Sequence, residues 1–268
     1  MHHRRITMSH KRIVIKVGTS TLTYDNGKLN LRRVEQLCKA ISDLTNSGKE
    51  IVLVSSGAIG VGVGKLGLPE RPTETRKKQA LAAVGQCELM FMYDKLFGEY
   101  NSTVAQILLT RRVIEDDHLR VNACNTFQTL LEMGIIPIVN ENDTVAVDEV
   151  EGTNFGDNDM LSAIVSRVIG ADLLVILTDI DGLYDRNPRT NPDAKLIRRV
   201  EKIDDNIRHM AGGSGSNRGT GGMATKIVAA EIATKAGVEC CIINGNTPNN
   251  LYDLLDGKEI GTVFQAIK

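Results

Sequence analysis

The chain contains no tryptophan, and aromatic residues make up only 4% of it. Single-stranded nucleic acids are held by aromatic stacking faces, so that class of partner is poorly served. A strong charge of one sign is missing too: 32 Lys and Arg stand against 33 Asp and Glu, for a formal net charge of -1. This excludes a basic footprint over the whole molecule. The five cysteines, Cys38, Cys87, Cys124, Cys240 and Cys241, are odd in number, scattered and without CxxC spacing. They suggest neither a disulfide framework nor a structural zinc site, and reduced thiols in a cytoplasmic protein are expected. No apolar run approaches the roughly 18 residues of a membrane span, and no apolar signal core follows the polar, basic leader at residues 1–10. That leader is expected to lie outside the fold, with Met8 as an alternative start.

What is present is an alternation of short apolar runs and amphipathic helical patterns across 268 residues, 42% of them hydrophobic. Such alternation predicts an α/β fold with a largely parallel sheet. Strands are expected at 13–17, 51–54, 104–109, 135–139, 173–177 and 240–243, and helices at 75–97, 119–133, 160–169 and 225–236. Asn30 is placed to cap a helix carrying Leu31, Val34, Leu37, Ile41 and Leu44 on one face, ended by Gly48. Residues 19–29 read as β-rich, broken by the hairpin signal Asp25-Asn26-Gly27. No long linker or repeat divides the chain, so residues 1–268 are read as one domain, with any seam between two lobes near Gly170.

Three polar loops follow expected strand ends, where open α/β sheets bind ligands. In the first, Lys16-Val17-Gly18-Thr19-Ser20, a lysine interrupts an apolar strand. That position is costly unless the ammonium meets an anion in a cleft. In the second, Ser55-Ser56-Gly57-Ala58-Ile59-Gly60, a small-residue turn entering a helix offers backbone N–H groups to a phosphate or a carboxylate. The third is an acidic and amide-rich stretch: Asn140-Glu141-Asn142-Asp143, then Asp148, Glu149 and Glu151, then Gly156-Asp157-Asn158-Asp159. It suits a substrate ammonium, an anchor for lysines, or magnesium placement. Later in the chain, Gly219-Thr220-Gly221-Gly222-Met223-Ala224-Thr225-Lys226 offers glycine N–H groups to phosphates, with a lysine at the start of the following helix. The run Gly62-Val63-Gly64-Lys65-Leu66-Gly67 fits GxGxxG. It lies well past the strand end, with no acidic strand end at the expected distance, so a dinucleotide site is rejected.

Six segments, in register and spanning nearly the whole chain, resemble the amino acid kinase family. They are Ile15-Lys16-Val17-Gly18-Thr19-Ser20, Val54-Ser55-Ser56-Gly57-Ala58-Ile59, Asn140-Glu141-Asn142-Asp143, Phe155-Gly156-Asp157-Asn158-Asp159, Leu177-Thr178-Asp179 with Gly182-Leu183-Tyr184, and the run from Gly219 to Lys226. Within that family the likeness is to the branch that phosphorylates the side-chain carboxylate of glutamate. It implies a three-layer αβα sandwich around a central, mainly parallel sheet. A glutamate-binding lobe would span about 8–170 and an ATP-binding lobe about 171–268.

The resemblance also implies roles for individual residues. Lys16 and Lys226 would contact the phosphates and the transferred group, and Asp159 would hold both lysines. Ser56, Gly57, Asp143, Asp157 and Asn158 would bind or border glutamate. Thr178, Asp179, Thr220, Gly221, Gly222, Met223, Ala224 and Thr225, with the two lysines, would bind ATP. Mg²⁺ would accompany the nucleotide without a dedicated set of protein ligands. Proline as an inhibitor, a homo-oligomer, and a functional partnership with glutamate-5-semialdehyde dehydrogenase are further expectations of the resemblance. No nucleic-acid or membrane partner is expected, and the C-terminal PUA domain of many bacterial members is expected to be absent.

The residues fit this chemistry. A carboxylate nucleophile needs no strong general base, and phosphoryl transfer chiefly needs positioning and charge neutralisation. An acidic and amide cluster favours free glutamate, which carries an ammonium, over an N-acetylated substrate. The alternatives are another kinase of the family, acting on acetylglutamate or aspartate, and a non-catalytic amino-acid sensor on the same fold.

Overall fold

The computed structural model describes residues 10–24, 28–146, 157–212 and 222–267. The leader 1–9, Asp25 to Gly27, Asp148, Glu149, Glu151, Phe155, Gly156 and the loop residues Gly219, Thr220 and Gly221 lie outside them.

Strands with apolar side chains on both faces need cover on both sides, and that is how the sheet is built. β1 (Arg12–Val17), β2 (Glu50–Val54), β3 (Val104–Leu109), β4 (Ile136–Glu141), β5 (Leu173–Thr178), β6 (Arg199–Val200), β7 (Glu239–Asn244) and β8 (Thr262–Phe264) form one sheet in the order β3-β4-β2-β1-β5-β7-β8-β6. Only the β7–β8 pair is antiparallel.

Alternate residues of β1 enter opposite layers, as the two-residue period of a strand requires. Val14 joins Val52, Leu174 and Ile176 on one face, where they pack on α6 (Asp117–Glu132), α7 (Asn158–Val168) and α9 (Met223–Lys235). Ile13, Ile15 and Val17 join Ile51 and Leu53 on the other face, against α2 (Leu31–Asn46), α4 (Thr75–Gly98) and α10 (Asn250–Leu255). The expected αβα sandwich is therefore the observed architecture. Among the described residues no helix is long and apolar enough to cross a membrane.

Two local expectations are corrected. Residues 19–22 form a helical turn, α1 (Thr19–Leu22), rather than the start of a β-rich segment. The N–H groups of Thr21 and Leu22 donate to the Gly18 carbonyl at 3.1 and 3.3 Å, folding the chain back over the end of β1. A single antiparallel bridge, Thr23 to Leu29, is what the described residues show of the hairpin. On α2, the Asn30 side chain accepts from Arg33 N and Val34, Leu37, Ile41 and Leu44 are buried as expected, but Leu31 is 55% exposed. It occupies the first helical position, before the helix settles on the sheet.

The unassigned stretch after β2 is a helix, α3 (Ala58–Leu66), and α4 crosses it with backbone against backbone. A Cβ on Gly62 would stand 2.2 Å from the Leu81 carbonyl oxygen, and one on Gly85 would stand 1.7 Å from that of Ala58. The Gly62 of the GxGxxG text thus serves helix packing. Short elements not expected from the sequence are α5 (Arg111–Glu115), α8 (Asp205–Ala211) and β6.

Candidate active site

Lys16 aligns with Val54 of β2 and Ile176 of β5, and Val54 aligns with Val139 of β4. The carboxyl ends of β4, β2, β1 and β5 therefore finish side by side. Lys16 near the end of β1, Thr178 at the end of β5, and Ser56 and Asp143 just past the ends of β2 and β4 come to the same side of the sheet, and all four are buried.

At the centre lies Asp159, with 0% of its surface exposed. Its Oδ1 is 2.8 Å from Lys16 Nζ and its Oδ2 is 3.0 Å from Lys226 Nζ. Three elements thus meet on one carboxylate: β1 supplies Lys16, α7 supplies Asp159 and α9 supplies Lys226. Both lysines are 5% exposed. Burial alone would raise the Asp159 pKa, but the two ammonium groups outweigh it and hold the carboxyl down to about 2. The position of Asp159 in the first turn of α7 also places its charge at the favourable end of the helix dipole. Thr225 Oγ1 lies 3.0 Å from Asp159 Oδ2 and 2.8 Å from the Gly222 carbonyl oxygen, tying the approach to α9 to the same carboxylate.

Asp157 caps α7, its Oδ1 accepting from Asp159 N at 2.9 Å. Its pKa is raised, by burial first and by the Asp159 charge second, against the opposing pull of Lys16. Two neighbouring carboxylates are thereby pushed apart, one kept firmly ionised and one titrating higher.

Asn158 Nδ2 donates to Ser56 Oγ and to Asn140 Oδ1, each at 3.1 Å. Its Oδ1 is buried without a hydrogen-bond partner among the described residues. Such an acceptor is expensive to leave unfilled and suits a donor brought by a ligand. Asn140 in turn donates from Nδ2 to Gln86 Oε1 of α4 at 2.9 Å, and its Oδ1 accepts from Glu141 N at 2.9 Å. Behind the turn, Ser55 Oγ and Tyr93 Oη share a buried hydrogen bond of 2.9 Å. Gly57 adopts φ +90°, a conformation L side chains rarely adopt, and caps α3 next to Thr19. On Gly18 a Cβ would lie 3.5 Å from Lys16 Nζ, so glycine keeps the way to that ammonium open.

Thr178 Oγ1 lies 3.3 Å from Asp179 Oδ1, and Asp179 pairs with Arg189 on the exposed rim. Gly222, Met223 and Ala224 lead directly into Thr225 and Lys226. Of the expected residues, Lys16, Asp159, Thr225 and Lys226 meet directly, and Ser56, Asp143 and Thr178 lie at or just past the carboxyl ends of the neighbouring strands. Asn140 stands in the expected acidic and amide stretch without a role of its own, and Gln86 is not among the expected site residues. A polar Gln86 among buried Leu81, Ala82, Gly85, Leu89 and Tyr93 is the signal that marks it.

The family described as the amino acid kinase family matches residues 11–244. A glutamate 5-kinase of Clostridium perfringens is 59% identical over 266 residues, covering 99% of both chains. A glutamate 5-kinase of Listeria monocytogenes is 53% identical over 266 residues, covering 99% of this chain and 96% of its own. Among solved structures, a UMP kinase from Bacillus anthracis superposes with a TM-score of 0.64 at 15% identity, covering 97% of each chain. An isopentenyl phosphate kinase from T. acidophilum superposes with a TM-score of 0.62 at 18% identity, covering 95% of this chain and all (100%) of its own. At such identities these two structures speak for the fold alone.

Proposed function

The chain belongs to the amino acid kinase family, and on that premise we propose that its site transfers the γ-phosphoryl group of ATP to the side-chain carboxylate of L-glutamate. The observation that carries the reading is the pair of buried lysines held by Asp159 at the ends of the central strands. The product is γ-glutamyl phosphate, formed in the pathway from glutamate to proline.

A carboxylate oxygen of glutamate attacks the γ-phosphorus. A new O–P bond forms as the bond to the β-phosphate oxygen breaks, and ADP leaves with that electron pair. No proton is taken from the nucleophile, so the step calls for no general base. The ammonium groups of Lys16 and Lys226 offset charge on the γ-phosphoryl oxygens from fixed positions in a largely dehydrated setting. Asp159 keeps them apart and oriented. Mg²⁺ would come as a companion of the nucleotide, because the central carboxylate, Asp159, is already engaged by the two lysines. Phosphate oxygens and water would hold it, and it would supply charge neutralisation on the nucleotide.

On the substrate side, Asn158 Oδ1 and the Asp157 carboxylate supply acceptors for the glutamate ammonium. Asp143 adds negative charge, and the Ser56-Gly57-Ala58 turn supplies donors for the α-carboxylate. Thr178, Asp179 and the segment from Thr220 to Lys226 form the nucleotide side. Residues of about 8–170 then carry the glutamate lobe and about 171–268 the ATP lobe. Inhibition by proline, assembly into a homo-oligomer and a functional partnership with glutamate-5-semialdehyde dehydrogenase rest on the family resemblance.

The test is ADP release with ATP and Mg²⁺ that depends on L-glutamate, with the acyl phosphate trapped by hydroxylamine as a hydroxamate. Equal or faster turnover with acetylglutamate or aspartate would refute the substrate assignment.

A further inference from the structure

We propose that Gln86 is a positioning residue that sets which end of the Asn158 amide faces the substrate, and thereby tunes affinity for the substrate ammonium. The inference deepens the glutamate reading above and rests on it.

Gln86 stands on α4, well away in sequence from every strand-end loop. It reaches the site because its neighbour is Gly85, whose missing Cβ lets α4 press onto the Ala58 carbonyl. From there Gln86 Oε1 accepts from Asn140 Nδ2 at 2.9 Å, within a buried setting. The other end of the Asn140 amide is anchored by a group that can only donate, the backbone N–H of Glu141. The Asn140 oxygen therefore has to face Glu141 N, and it also accepts from Asn158 Nδ2. That bond, with the one to Ser56 Oγ, turns the nitrogen of Asn158 inward and leaves Oδ1 as an acceptor with no partner among the described residues.

Each amide in the chain has one polarity compatible with its neighbours. Without the Gln86 oxygen, Asn140 Nδ2 is a buried donor with nothing to bond, and Asn140 relaxes at the expense of its grip on Asn158. A flipped or drifting Asn158 would present N–H groups to an ammonium, like against like.

The test compares the native full chain with Gln86→Met and Gln86→Glu. Methionine approximates the shape of glutamine without its strong acceptor, while glutamate keeps an acceptor oxygen. The readouts are KM for glutamate, KM for ATP, kcat, and the inhibition constant of glutarate, which has both carboxylates but no ammonium. For Gln86→Met the expected result is a rise of about tenfold in glutamate KM, with ATP KM, kcat and the glutarate constant within about twofold of native. Gln86→Glu should stay within about threefold of native on every readout.

A merely structural role would raise the glutarate constant and the glutamate KM together, and that parallel rise overturns the proposal. An unmoved glutamate KM overturns it as well. Should Gln86→Met not fold, Gln86→Ser, too short to reach Asn140, serves in the same comparison. Native protein that turns over glutamate while the ratio of the two constants stays fixed refutes the Gln86 role alone. Native protein with no glutamate-dependent turnover refutes the substrate reading and this inference together.

Discussion

Replacing Asp159 by asparagine removes one charge while keeping shape and an acceptor oxygen, so it isolates the electrostatic role of that carboxylate. In the native protein the carboxylate lies 2.8 Å from Lys16 Nζ and 3.0 Å from Lys226 Nζ, with none of its own surface exposed. Holding its pKa from 3.8 down to about 2 corresponds to roughly 2 kcal/mol in favour of the ionised form, at about 1.4 kcal/mol per pH unit. That figure is what remains after the cost of burial has been met. Removing the charge also strands two buried ammonium groups, and breaking a buried pair in this way costs about 3–5 kcal/mol. The two pairs share one carboxylate and do not add.

A loss of about 3 kcal/mol is therefore expected for Asp159→Asn, visible as a fall in Tm of roughly 6–12 °C for a chain of this size. The sign with pH follows from the lowered pKa. The stability Asp159 contributes is fully present above pH 3.8 and disappears as pH falls through about 2. Native and variant melting curves should differ at neutral pH and converge in that acid window. In an ADP-release assay kcat should fall by at least about a hundredfold, because both lysines lose their common reference point. A variant with kcat within threefold or so of native and an unchanged Tm would refute the idea that one carboxylate organises the site.

Three other outcomes are expected. Lys226→Ala should lower kcat by at least about tenfold in the same assay, since it removes charge at the transferring group, and an unchanged kcat would refute that role. Gly85→Ala would put a Cβ 1.7 Å from the Ala58 carbonyl oxygen, so α3 and α4 must spread. A Tm drop equivalent to about 1–3 kcal/mol is expected, together with a higher glutamate KM, measurable by calorimetry and steady-state kinetics. Asp157 has a raised pKa from burial and from Asp159, so it takes up a proton at a higher pH than an ordinary aspartate. Its own contribution to stability is present below pH 3.8 and is lost as pH rises through the raised value. The ionised form is the one that accepts from an ammonium. Glutamate KM should therefore climb as pH falls toward that value, ATP KM should climb less, and Asp157→Asn should flatten the glutamate profile.

The strands and long helices were legible because their apolar periods are clean: 104–109 was bounded correctly to the residue, and α4 to one residue at its end. The lysine at position 16 announced itself by being a charge inside an apolar strand. Its partner could not be read that way, since Asp159 lies far along the chain and only the stacking of β1 against β5 and α7 brings the two together. The roles of Asp159 and Lys226 came through family resemblance. Gln86 escaped because a glutamine on a helix is read as surface unless its neighbours are known to be buried. The 19–22 turn is not legible because threonines favour strands in isolation, whereas here the carbonyl of Gly18 captures the N–H groups of Thr21 and Leu22. Gly62 tempted a nucleotide reading, although its spacing reflects the approach of a second helix.

The contact between α3 and α4 has a mechanical consequence. At Gly85 no side chain lies between the two backbones to give way, and packed interiors are hard to compress. The 24 residues of α4 span about 36 Å at 1.5 Å per residue. The helix is thus seated directly on the backbone of the first turn of α3, with no side chain as a cushion, one residue from the Gly57 turn.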